Sequence, residues 1–112
     1  MIKHDCIFCK IAAGQSQSRI IYEDEKAIAF HDMYPQAPVH ALVIPKEHFD
    51  SIKSVTDDTL LGHLFTAAKK AAEKLGINDY RLVVNTGSKS GQTVFHLHIH
   101  ILGGRYMTWP PG

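Results

Sequence analysis

Apolar positions recur along this chain in two periods. From Thr56 to Gly76 they return every three or four residues, through Leu60, Leu61, Leu64, Phe65, Ala68, Ala71, Ala72 and Leu75. That is the spacing of a single buried helix face. Thr56 is placed to cap this helix, Asp57 and Asp58 suit its first turn, and Gly76 ends it. A shorter helix is predicted from Cys6 to Ala13, stopped by Gly14. Elsewhere short β-branched and aromatic runs predict strands at Arg19–Glu23, Ala27–Phe30, His40–Ile44, Tyr80–Asn85 and Val94–Leu102. Asp24-Glu25 makes a tight connection, Pro35 and Pro38 mark an irregular loop, and Pro45 stops the third strand. The loop Thr86–Thr93 returns directly to the last strand, so those two strands should be antiparallel neighbours. The expected architecture is α+β: about five strands in an antiparallel meander, with the long helix across one face.

The last strand changes the picture from fold to chemistry. His96, His98 and His100 fall at alternate positions of Val94–Leu102, which puts three imidazoles on one sheet face. Val94, Phe95, Leu97, Ile99 and Ile101 are left to pack on the other. Because the long helix would bury the histidines, they belong on the face away from it. A cluster of groups that titrate near neutrality serves acid–base or nucleophilic chemistry, or binds a metal such as zinc. Gly87, Gly91, Gln92 and Thr93 connect Asn85 to this strand, and they read either as an ordinary turn or as neutral donors for a phosphate.

Bulk properties narrow the field further. With 112 residues, the chain fits one domain, residues 1–112, with its own core. Twelve basic and eleven acidic side chains argue against a surface that coats nucleic acid. No apolar stretch is long enough for a membrane span, and Met1-Ile2-Lys3-His4-Asp5 lacks a signal-peptide pattern, so a cytoplasmic protein is expected. Cys6 and Cys9 are the only cysteines; in a reducing compartment their spacing points to a metal or redox site rather than a structural disulfide.

The run His96-Leu97-His98-Ile99-His100-Ile101-Leu102 resembles the signature of the histidine triad (HIT) superfamily. Ala29-Phe30-His31-Asp32, Pro35-Gln36-Ala37-Pro38-Val39-His40, Leu42-Val43-Ile44-Pro45-Lys46, Leu102-Gly103-Gly104-Arg105 and Trp109-Pro110-Pro111-Gly112 are similar to its HINT branch. The resemblance implies a purine nucleoside phosphoramidase that works through a covalent nucleotidyl-histidine. It makes His98 the nucleophile, with His100 and His40 orienting it or sharing its protons and His96 completing the catalytic set. It assigns the α-phosphate to Asn85, Gly91, Gln92 and Thr93, and the ribose hydroxyls to Asp32. The base pocket falls to Phe8, Ile11, Phe30, Met33 and Leu42, and Trp109 lies in a tail that approaches a partner's site in a homodimer. Two positions depart from the pattern: Thr93 replaces a serine, and Ser16-Gln17 stands where an Ile-Pro pair is usual. The wider family also implies structural zinc on Cys6, Cys9, His48 and His96, with no metal needed for catalysis. A nucleotide-binding regulatory module, a dinucleoside polyphosphate hydrolase and a three-histidine metalloprotein are the alternatives.

Overall fold

The computed structural model describes residues 3–112; Met1 and Ile2, part of the start read against a signal peptide, lie outside them. The described chain runs α1 (Ile7–Ala12), β1 (Ile20–Glu23), β2 (Ala27–His31), β3 (Val39–Pro45), α2 (Asp58–Leu75), β4 (Tyr80–Val83) and β5 (Ile99–Gly103). All strand pairings are antiparallel, in the spatial order β1-β2-β3-β5-β4. The α2 crossover carries β4 to the outer edge, so β5 fills the place beside β3.

Alternation within the strands sorts the two faces. Ala27, Ala29, Ala41, Val43, Ile99 and Ile101 turn towards α2 and meet Leu60, Leu64, Ala67, Ala68 and Ala71. Small residues on both surfaces let the helix approach the sheet closely. Ile28, Phe30, Leu42 and Ile44 turn the other way and are covered by Phe8 and Ile11 of α1. Phe65, expected within the helix stripe, is 41% exposed, whereas Ala67 is buried. The α2 cap is Asp57, not Thr56: its carboxylate accepts from the Thr59 N–H, and aspartate outranks threonine in this role.

The last strand departs most from expectation, since its ladder begins at Ile99 rather than Val94. Its final pair with β3 is Val43 with Ile99, and Pro45 has no N–H with which to extend the ladder. Instead Leu97 N donates to Phe49 O at 2.7 Å and His96 Nε2 donates to Pro45 O at 2.8 Å. Alternation still keeps Leu97 in the α2 core. Val94, expected beside it, packs on the α1 side, and Phe95 is exposed. No helix among the described residues is long and apolar enough to cross a membrane.

Candidate functional site

The three histidines do lie on the face away from α2, but α1 covers part of that face and the rings do not stand in solvent. His98 is 6% exposed and His96 fully buried. The Phe8 ring meets His98 edge to face at 5.2 Å and Phe30 at 5.6 Å. Phe8, Ile11, Phe30 and Leu42 form one apolar cluster beside His98, whereas Met33 is 76% exposed and stands outside it.

Backbone groups fix the tautomers. A carbonyl can only accept, so His98 Nδ1 donates to His96 O at 2.7 Å and leaves the Nε2 lone pair free. On the neighbouring strand Gln36 N–H donates to His40 Nδ1 at 2.9 Å. The neutral His40 ring therefore carries its proton on Nε2, which reaches His100 Nδ1 at 2.9 Å. His100 is left with a proton on Nε2, and its ring lies 4.9 Å from that of His98. Asp32 Oδ2 is 3.4 Å from His40 Nε2. Burial lowers the basicity of all three rings, taking His100 down to about 4 with help from the neighbouring His98 and His40. A neutral His98 near pH 7 is the nucleophilic form.

The loop before the histidines divides its labour differently from the sequence reading. Gln92 is buried, with Nε2 donating to Asp50 O at 2.7 Å and Val94 O at 3.1 Å, while Oε1 accepts from Gly87 N at 2.9 Å. Both donors of its side-chain amide are taken up within the protein, so Gln92 braces the loop. Asn85 Nδ2 donates to Gly91 O at 3.4 Å, and Gly91 takes the left-handed φ of 99° that lets the chain turn back beside it. Thr93 is exposed at the loop's end. Trp109 is 81% exposed and stands over Arg81 of β4, 5.9 Å from its guanidinium.

A second cluster sits under α1. The ligand atoms of Cys6, Cys9, His48 and His96 all lie within 4.8 Å of one another. Cys6 Sγ is 3.4 Å from His96 Nδ1, and Cys9 Sγ is 3.4 Å from His48 Nδ1 and 3.5 Å from His96 Nδ1. Bond lengths of about 2.3 Å to sulfur and about 2.0–2.1 Å to nitrogen put the corners of a tetrahedral zinc site about 3.5 Å apart. Both imidazoles also present the correct nitrogen. His48 Nε2 donates to Asp50 Oδ1 at 2.7 Å and His96 Nε2 to Pro45 O, which frees each Nδ1 for a metal. The residues fit a metal.

A five-stranded sheet thus carries on one face an imidazole with a free Nε2, a hydrogen-bonded His40–His100 pair and a buried apolar cluster. Residues 5–109 match the family described as "Scavenger mRNA decapping enzyme C-term binding". The chain is 53% identical over 111 residues to an uncharacterized HIT-like protein of Synechocystis, covering 96% of this chain and 97% of that one. Among solved structures it resembles a HIT family hydrolase from Legionella pneumophila, with TM-score 0.91, 48% identity and coverage of 96% and 100% of the two chains. It also resembles a histidine triad protein from Clostridium difficile, with TM-score 0.92, 42% identity and coverage of 96% and 97%. The chain belongs to the histidine triad (HIT)-like family.

Proposed function

We propose that this protein is a HINT-branch hydrolase that cleaves the P–N bond of purine nucleoside 5′-phosphoramidates through a nucleotidyl-His98 intermediate. The observation that carries this reading is the His98 Nδ1–H donated to His96 O, which leaves Nε2 unprotonated and available as the nucleophile. The apolar cluster that holds Phe8, Ile11, Phe30 and Leu42 is read as the surface that receives the base, and Asp32 as the acceptor for the ribose hydroxyls. The backbone around Gly91 and Thr93, with Asn85, is read as the donor set for the α-phosphate.

In the first step His98 Nε2 bonds to phosphorus as the P–N bond breaks. The departing nitrogen takes one proton from the His100–His40 pair. Burial keeps that pair neutral in the free protein, so this proton enters with the anionic substrate and is offset by Asp32. In the second step water attacks the phosphorus, the P–His98 bond breaks, and the pair recovers its proton from that water. Cys6, Cys9, His48 and His96 would hold zinc, which with four protein ligands would supply a structural tie rather than a catalytic centre.

The test is turnover of adenosine 5′-phosphoramidate, with intact-protein mass spectrometry of rapidly quenched samples. His98→Ala is expected to abolish both amine release and a one-adenylyl mass increase. His100→Ala and His40→Ala should each slow the reaction about 10²–10⁴-fold, the usual scale for acid–base catalysis. Full activity in His98→Ala refutes the mechanism. Diadenosine polyphosphate assayed in parallel checks the alternative substrate class, whose phosphorus the same nucleophile could attack. AMP binding with no release of amine would make the protein a nucleotide-binding module.

A further inference from the structure

His98 lies outside the sheet's hydrogen-bonded ladder, which begins at Ile99, so something other than strand pairing must fix its ring. Two connections lead from its surroundings to the Cys/His cluster. His96 offers Nδ1 to both thiols while its carbonyl accepts from His98 Nδ1. On the other side, His48 Nε2 donates to Asp50, whose carbonyl accepts from Gln92, the brace of the Gly87–Thr93 loop.

The thiols themselves sit on α1. This helix is six residues long, with Cys6 as its N-cap and Cys9 at its third position, too short to persist without tertiary ties. It nonetheless carries Phe8, which meets His98 edge to face, and Ile11, which packs in the same apolar cluster. One metal would thereby hold the cap of the base pocket, the carbonyl that orients the nucleophile and the buttress of the phosphate loop.

Resting on the zinc and nucleotide readings above, we propose that Cys6, Cys9, His48 and His96 are positioning residues: metal held on them sets the His98 ring and the affinity for nucleotide. Linkage makes the effect reciprocal, so metal and nucleotide must raise each other's affinity by the same factor.

The experiment compares zinc-loaded and chelator-stripped protein, titrated with AMP by calorimetry, with circular dichroism reporting the fold. Stripping is expected to weaken AMP binding on the order of 5–150-fold, and AMP to tighten zinc by the same factor. The NMR signal of the His98 Nδ1 proton, protected by the His96 carbonyl, should disappear on stripping. Cys6→Ser and Cys6→Asp both keep a helix-capping oxygen, but only aspartate offers a strong ligand. AMP affinity and the NMR signal should therefore survive better in Cys6→Asp. If stripped protein unfolds, the ligand-field absorption of cobalt-loaded protein is followed during AMP addition, and a shift is expected. Equal AMP affinity with and without metal, an unchanged His98 signal or an unmoved cobalt band overturns the proposal and leaves the nucleotide reading standing. Absence of AMP binding in both forms removes that reading and the proposal together, whereas failure to bind zinc removes the proposal and leaves the nucleotide reading standing.

Discussion

Because His96 O, Pro45 O and Gln36 N–H are backbone groups with fixed donor or acceptor character, they assign the protons on His98, His96 and His40. No pattern of side chains encodes such assignments. Spacing named His96, His98 and His100, and family resemblance supplied His40 and the Cys/His set, but the tautomers and the bracing role of Gln92 arise only once distant backbone segments meet. His63 and Asp24 show the same limit, being 39 positions apart yet joined at 2.8 Å. Burial pushes the Asp24 carboxyl up, but hydrogen bonds from Tyr22, His63 and the Lys26 and Ala27 amides outweigh it and hold the group well below its usual range. A carboxyl depressed on folding contributes stability above its unfolded value, about 3.9, and loses that contribution as pH falls through the folded value. Asp24→Asn should therefore cost about 1.5–3 kcal/mol near neutrality, the scale of charged hydrogen bonds. The loss should shrink as pH drops below about 4. Melting curves from pH 7 to pH 2 check this, and parallel profiles for the two proteins would count against it.

At the scale of elements, the long helix was legible because its stripe repeats over many turns, while the end of the histidine strand was not. Strand alternation continues through His96 and His98, so pattern alone cannot show that Pro45 and Phe49 have replaced the ladder with other bonds. Phe65 was misplaced for a related reason: helical spacing marks a sector, but the sheet covers only part of it, and Ala67 occupies the covered part. The end of β5 shows a constraint of a different kind. Gly104 has φ of 88°, and a Cβ built there would stand 2.8 Å from Pro38 Cβ. Gly104→Ala combines a left-handed backbone, which costs about 1–2 kcal/mol for an L-residue, with a contact that one of two rigid segments must relieve. Destabilisation of about 2–4 kcal/mol is expected, since overpacking adds about 1–3 kcal/mol. Urea denaturation measures it, and a change below about 1 kcal/mol would mean that the Pro38 loop moves freely.

For the whole molecule, β1 and β4 are the sheet edges, and Phe65, Tyr106 and Trp109 expose large apolar surfaces. The tail reaches β4, where Arg81 Nη2 donates to Thr108 O at 3.0 Å and the guanidinium lies against the Trp109 ring. Trp109 is thus held at an edge strand of its own chain rather than brought to its own His98. An open edge flanked by aromatic side chains is a surface that a second copy can cover, and a two-fold interface would cover it on both subunits at once. A homodimer is predicted in which each tail reaches the other subunit's cleft and Trp109 bears on the leaving group. Sedimentation equilibrium at micromolar concentration should return twice the chain mass. Deleting Met107–Gly112 should then change the ranking of amine leaving groups in kcat/KM while altering AMP affinity little, because the base slot and Asp32 lie outside the deleted segment. A monomer at that concentration, or an unchanged ranking in the deletion variant, would separate the tail from catalysis and leave the site complete within one chain.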